Sequence, residues 1–303
     1  MPFRASMLRV GRAVGFAVAA ALVLVVAAGG GTAKGSSLIV FPAAPGEGQA
    51  AQLYSILPTG EGLKQITTGA NAALDPVFSP GGKRIAFQRF DVGLFTVNPD
   101  GSGLRRLTTN GRDAFPTWSP SGNQIAFVRP IGSKWRLYVM SPATRKLRRL
   151  GQAPPAGRPS WTKAGLLVPT GGDLVRVDPK NGRVLKYYDA SIDAIWGLNS
   201  VTISPTLSLL TYVGARASDP GDMECGEGAC QRFGLFGESL TAKRKRPKLL
   251  VKDAGPAVFS PDGRQMAFVA GGSLVLRSAT SSRQTSLATP SVTPVTTGPP
   301  AWR

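Results

Sequence analysis

The stretch Asp75-Pro-Val-Phe-Ser-Pro-Gly-Gly-Lys-Arg-Ile-Ala-Phe87 decides the fold, because it recurs. It returns as Phe115-Pro-Thr-Trp-Ser-Pro-Ser-Gly-Asn-Gln-Ile-Ala-Phe127 and as Gly255-Pro-Ala-Val-Phe-Ser-Pro-Asp-Gly-Arg-Gln-Met-Ala-Phe268. Looser copies run from Arg158 to Val168 and from Ser200 to Tyr212, and a truncated one, Gly298-Pro-Pro-Ala-Trp-Arg303, ends the chain. With the serine of each copy or its equivalent as marker, the positions are 79, 119, 162, 204, 260 and 303, and the spacings are 40, 43, 42, 56 and 43 residues. A period of about 42 residues is that of a four-stranded propeller blade.

Each unit explains itself physically. A short strand of alternating apolar residues meets a Ser-Pro-x-Gly turn, where proline presets φ and glycine takes the positive φ that closes a hairpin. A second strand such as Arg84-Ile-Ala-Phe-Gln follows, then a third such as Trp135-Arg-Leu-Tyr-Val-Met. Turn signals such as Pro99-Asp-Gly-Ser-Gly lead into a fourth, polar strand such as Leu104-Arg-Arg-Leu-Thr, suited to an outer edge. Near the start, Leu38-Ile-Val-Phe, Gln52-Leu-Tyr-Ser-Ile-Leu and Leu63-Lys-Gln-Ile-Thr supply second, third and fourth strands without a first, and Pro299-Pro-Ala-Trp-Arg303 supplies a first without the rest. Joined, they make a sixth blade. The expected fold is all-β: a six-bladed β-propeller of four-stranded blades, its ring closed by the C-terminal strand joining the N-terminal blade.

Composition narrows the chemistry. Glycine (37) and proline (25) are abundant in 303 residues, yet 42% of the chain is hydrophobic, so it folds around many turns. It has no histidine, which removes Ser-His-Asp and Cys-His triads, histidine-ligated zinc or haem, and any imidazole base. Residues 1–33 read as a signal peptide: Arg4, Arg9 and Arg12 form a positive region, Val14 to Ala28 is apolar or small, and Gly31-Thr32-Ala33 offers a cleavage site before Lys34. A retained anchor is the alternative, although the apolar run is short for a membrane span. Removing the three leader arginines from the 36 cationic residues leaves 33 against 17 acidic ones, so the mature chain keeps a net charge of +16. Residues 34–303 then form one propeller domain, exported to a periplasmic, cell-wall or extracellular location, with membrane contact limited to passage of the leader.

The combination Pro-x-Trp-Ser-Pro-x-Gly-x-x-Ile-Ala-Phe, then Leu-Tyr-Val-Met and Arg-Arg-Leu-Thr, resembles the repeat of TolB-like β-propellers over about residues 38 to 303. The resemblance implies the propeller alone; the five residues from Lys34 to Leu38 leave no room for the N-terminal α/β domain of TolB. Similar propellers cap prolyl oligopeptidase-type peptidases, which need a hydrolase domain and a catalytic histidine that this chain lacks.

Candidate functional residues fall into three groups. The long fourth interval carries Cys225 and Cys230 in an insertion at about 217–234, expected to close a local disulfide in an exported chain. Asp219, Asp222, Glu224 and Glu227 beside them are hard oxygen ligands that offer calcium as an alternative, with a spacing unlike an EF-hand. Lys243, Arg244, Lys245 and Arg246 form a cationic turn that reads as a solvated rim or as a patch for a polyanion. Asp113 and Asp253 each stand three residues before a first-strand proline, and read as turn-capping carboxylates or as ligand contacts at the channel mouth. Trp118, Trp161 and Trp302 share one motif position and are expected to pack between blades. These features favour a non-catalytic binding or scaffold propeller of the cell envelope, monomeric, whose partner is an envelope protein or anionic polymer rather than nucleic acid. The alternative is a channel-sited hydrolase or lyase, which needs at least two carboxylates converging on the axis.

Overall fold

The computed structural model describes residues 37–151, 155, 157–170, 174–188, 195–196, 201–204, 209–217, 231–239, 248–295 and 299–303. Six antiparallel sheets form the blades. Blade 1 holds β1 (Ile39–Ala44), β2 (Gln52–Ile56) and β3 (Lys64–Gln65), with β25 (Thr293–Pro294) and β26 (Ala301–Trp302) sharing its inner edge. Blade 2 is β4 (Ala73–Phe78), β5 (Ile85–Arg89), β6 (Gly93–Val97) and β7 (Arg105–Arg106). Blade 3 is β8 (Ala114–Trp118), β9 (Ile125–Ile131), β10 (Lys134–Met140) and β11 (Leu147–Leu150). Blade 4 is β12 (Ser160–Thr162), β13 (Gly165–Pro169), β14 (Leu174–Val177) and β15 (Val184–Tyr188). In blade 5, β16 (Ile195–Trp196) and β17 (Val201–Ile203) both pair with β18 (Leu209–Ala217), which leads to β19 (Gln231–Ser239) and β20 (Lys248–Lys252). Blade 6 is β21 (Val258–Phe259), β22 (Gln265–Ala270), β23 (Ser273–Ser278) and β24 (Gln284–Leu287).

The recurring serine has a visible task. In each well-formed turn its hydroxyl accepts the backbone N–H five residues on: Arg84 N to Ser79 Oγ at 3.1 Å, Gln124 N to Ser119 Oγ at 3.0 Å, and Gln265 N to Ser260 Oγ at 2.9 Å. The turn glycine donates back to the serine carbonyl, as from Gly82 N to Ser79 O at 2.7 Å, with φ of 64°. A Cβ at Gly82 would also collide with the Arg303 side chain, so this glycine serves both the turn and the seam between the chain ends. The degenerate copy at Thr162 departs from this scheme, its hydroxyl donating instead to Gly165 O at 3.0 Å.

Blades bury both faces, and the core is a set of six layers, one between each pair of neighbours. Val40, Leu53, Ile85 and Phe87 pack between blades 1 and 2, and Leu94, Trp118, Phe127 and Met140 between blades 2 and 3. Ile39, Phe41, Met266 and Phe268 illustrate the period-2 logic: alternate residues of one strand enter alternate layers, so β1 gives Ile39 and Phe41 to the layer with blade 6 and Val40 to that with blade 2. Trp118 and Trp302 are buried in interblade layers and Trp161 packs against another.

The innermost strands touch in order around the axis, from β4 through β8, β12, β17, β21 and β26 back to β4. At the seam, β26 pairs antiparallel with β1 through Ile39↔Trp302 and Val40↔Ala301. Leu38 and Arg303 exchange two backbone hydrogen bonds of 3.0 Å. The sequence does not announce β25, which adds a second contact to β1 through Ala43↔Pro294 and Ala44↔Thr293.

Candidate functional site

In blades 2 and 3 the residue before the first-strand proline lies where the inner strand bulges. The β4–β5 register shifts between Leu74 and Val77 and the β8–β9 register between Ala114 and Thr117, and within these bulges Asp75 and Phe115 both have φ of 56°. A bulge re-aims the side chain of its extra residue. Arg158, which precedes Pro159, holds the corresponding motif position in blade 4. The outcome is a charged bar from blade 2 to blade 4: the Arg158 Nη2 donates to Asp75 Oδ1, both residues are buried, and the guanidinium lies 5.6 Å from the centroid of the Phe115 ring of blade 3. Burial pushes the Asp75 carboxyl up from its ordinary value, against the opposing pull of Arg158, and burial likewise pushes Arg158 down. Both directions identify desolvation as the dominant influence on the pair.

Phe115 also stacks on Trp135, with ring centroids 6.2 Å apart and planes 24° from parallel. Trp135 is 40% exposed and stands on the β9–β10 hairpin, whose strands are seven residues long against five in β5 and β6. None of Asp75, Phe115, Arg158 and Trp135 stands out as a site residue in the sequence. The signal available is the position before the recurring proline, whose residue type changes from blade to blade.

The two carboxylates singled out from sequence take different places. Asp113 is fully buried and receives two hydrogen bonds from Arg129, 2.5 Å from Nε and 2.8 Å from Nη2. This fork holds Arg129 above its ordinary pKa, while its guanidinium lies 4.9 Å from the Tyr138 ring centroid. Asp253 has φ of 51° and a side chain 71% exposed, 3.9 Å from Lys252 Nζ. No hydrogen bond or ion pair joins Asp113 to Asp253 among the described residues. Cys225, Cys230, the acidic residues 219–227 and Lys243, Arg244, Lys245 and Arg246 lie outside the described residues.

Two cavities matter. The axial one, about 170 Å³, is lined by the inner strands, among them Pro76, Thr117, Pro159, Thr202 and Trp302, with Arg158 as the charged group and no Asp or Glu among the described residues of its wall. Among the described residues no cluster of three or more His, Cys, Asp or Glu could hold a metal ion. The second is a groove of about 330 Å³ between blades 2 and 3, where Ser79, Pro80 and Ser121 of the turns meet Lys83, Arg84 and Arg105 over a floor that includes Leu107 and Trp118.

The outer-strand cations have a structural role that the sequence conceals. Lys64 of blade 1 donates to Asp100 O of blade 2 at 3.2 Å, Arg105 of blade 2 to Ala143 O of blade 3 at 3.3 Å, and Arg148 of blade 3 to Pro179 O of blade 4 at 2.9 Å. The fourth strand of each of these blades thus caps the hairpin turn of the next. The acceptors are neutral carbonyls, so the hydrogen bonds of Arg105 and Arg148 do not neutralise their charge, whereas Lys64 also helps to hold the Asp100 carboxyl below its ordinary value.

No family model and no curated protein matches the sequence. Among solved structures, TolB from Acinetobacter baumannii is similar with a TM-score of 0.65 and 18% identity, over 88% of this chain and 66% of that one. The fold is that of a TolB-like β-propeller. The same ring architecture is shared with a chain of a nidogen/laminin complex, with a TM-score of 0.65 and 11% identity over 88% of this chain and 98% of that one. An oligogalacturonate lyase in complex with manganese is similar with a TM-score of 0.50 and 12% identity over 83% of this chain and 73% of that one. The fold thus occurs both in a nidogen/laminin complex and in an oligogalacturonate lyase, and by itself it selects no function. This chain spans just under two thirds of the length of the Acinetobacter TolB chain.

Proposed function

We propose that residues 1–33 direct export and are removed, that the Cys225–Cys230 pair closes the 217–234 insertion, and that residues 34–303 act in the cell envelope as a monomeric, non-catalytic binding propeller for a protein or anionic polymer. One observation carries this reading: among the described residues the axial cavity has no carboxylate in its wall, and Asp75 and Asp113 are each held by an arginine. General acid–base work on an axial substrate needs a pair of carboxyls free to exchange protons with it. The surface offers something else, a net charge of +16, with the outer-strand Arg105 and Arg148 set on carbonyl oxygens of the next blade. The likeness to TolB and to a chain of the nidogen/laminin complex is consistent with docking as the work of such a ring.

Two measurements test this. Mass spectrometry of the exported protein is expected to give an N-terminus at or near Lys34; an intact Met1 in the membrane fraction would replace the leader with an anchor. Sedimentation of the exported chain with a purified anionic wall polymer is expected to weaken steeply between low and physiological salt, because exposed charges are screened over about 8 Å at ~0.15 M. Replacing Lys243, Arg244, Lys245 and Arg246 together by glutamine should reduce that binding while leaving the melting temperature unchanged. Binding indifferent to both salt and these substitutions would remove the polyanion from the proposal.

A further inference from the structure

The groove between blades 2 and 3 combines three properties that surface charge alone does not supply. Two of its three cations are held in place: Arg84 donates to Gly103 O at 3.1 Å and Arg105 to Ala143 O at 3.3 Å, and a guanidinium with five donors keeps others for a ligand. Its wall contains Lys83, Arg84 and Arg105 and, among the described residues, no Asp or Glu to cancel the positive potential locally. Its base is apolar, with Leu107 and Trp118 below and Pro80 and Pro142 at the sides, and the Trp118 indole is fixed by a 3.2 Å hydrogen bond to Val77 O. Preformed pockets with an apolar base and a few convergent polar groups are those that hold ligands.

We propose that this groove is the docking site for an acidic segment of a partner protein, with carboxylates on Lys83, Arg84 and Arg105 and an apolar side chain on the Leu107–Trp118 base. The inference rests on the binding role proposed above and names its site and partner chemistry. A uniformly charged polymer such as polyphosphate would satisfy the cations and leave the apolar base covered by nothing. A peptide that alternates acids with an apolar residue satisfies both. Arginine clusters are a recurrent device for recognising acidic segments. The motif also explains why the site falls here: the turn of blade 2 reads Gly-Gly-Lys-Arg, whereas those of blades 3 and 6 read Ser-Gly-Asn-Gln and Asp-Gly-Arg-Gln.

The experiment is titration calorimetry of the exported chain with the peptides Glu-Glu-Phe-Glu-Glu and Gln-Gln-Phe-Gln-Gln, and with polyphosphate. The acidic peptide should bind and its glutamine analogue should not. Lys83→Glu with Arg105→Glu should weaken the acidic peptide about tenfold or more, since each reversal exchanges an exposed attraction for a repulsion. Lys83→Glu alone, at an exposed position, should lose part of that affinity and guards against any loss of the Arg105 turn cap. A control pair across the ring, Lys252→Glu with Arg283→Glu, should retain binding. Equal loss in the control pair, retained binding in K83E/R105E, or binding of polyphosphate without the peptide would each overturn the site. If K83E/R105E still sediments with wall polymer in a salt-dependent manner while the wild type ignores the peptide, this inference fails and the binding role stands; if the wild type binds neither, both fail.

Discussion

Arg158→Met is expected to lower the unfolding free energy by about 3–5 kcal/mol at neutral pH, the usual cost of leaving one member of a buried ion pair without the other. The charge left behind is Asp75, which has no solvent to turn to. Burial already raises this carboxyl in the intact pair, and Arg158 opposes the rise; without the arginine, the carboxyl should move further up. A carboxyl raised in the folded state contributes stability that is fully present below its ordinary pKa and is lost as pH climbs through the folded value. The deficit of Arg158→Met relative to the wild type should therefore shrink on acidification towards the ordinary carboxylate range. Asparagine tolerates the left-handed backbone that Asp75 adopts, so Asp75→Asn combined with Arg158→Met should recover most of the loss, because the double variant removes both desolvated charges. Urea denaturation of the wild type and the two variants at several pH values reads all three expectations. A single variant as stable as the wild type at neutral pH, or a deficit that ignores pH, would show that the bar does not hold blades 2 and 4 together.

This bar also marks where the sequence stops being informative. The ring is legible because its requirements repeat: each hairpin needs a hydroxyl for the backbone N–H five residues on and a glycine at positive φ, and Ser79, Ser119 and Ser260 with their glycines recur on schedule. The axial position before the proline is under the opposite pressure. Copies of one residue type pointing at one axis would crowd or repel, so this position reads Asp75, Phe115, Arg158, Gly255 and Pro299, and repetition does not mark it. Asp75 and Arg158 are 83 residues apart and skip a blade, a pairing no local pattern announces. Asp113 illustrates the same limit. Its place before the first strand points towards the channel mouth, but only the structure reveals Arg129 as its partner, sixteen residues on. The outer arginines are legible as charge and not as caps, because a backbone carbonyl on the next blade leaves no trace in side-chain pattern. Trp135 reads as a third-strand residue like its neighbours; two extra residues in each strand of its hairpin carry it into solvent.

Deleting residues 299–303 is expected to cost more stability than any single core truncation, because it removes β26 and opens the layer between blades 6 and 1. Trp302 is the main contributor: it is buried against Ile39, Phe41, Ala267 and Leu276, and its Nε1 donates to Ser37 Oγ at 2.5 Å. Trp302→Ala alone should cost about 3–5 kcal/mol, the range for emptying a buried aromatic site. Arg303→Ala should cost far less, since that side chain contributes one hydrogen bond, 2.8 Å to Gly82 O, and the backbone bonds to Leu38 survive the substitution. The ordering of the three variants separates closure by packing from closure by terminal charge. A decisive version relocates the strand. In blades 2, 3 and 6 a Ser-Pro-x-Gly turn connects the inner strand to its neighbour, and at the seam Arg303 and Leu38 already sit opposite each other as the two sides of such a hairpin. A permuted chain with residues 299–303 placed ahead of Leu38 through a Ser-Pro-Asp-Gly turn should regain the stability that the deletion loses, measured by thermal and urea unfolding. Loss on deletion with no recovery on permutation would assign the effect to β25 and the residues around it rather than to β26, and unchanged melting of the deletion variant would show that the ring holds without its last strand.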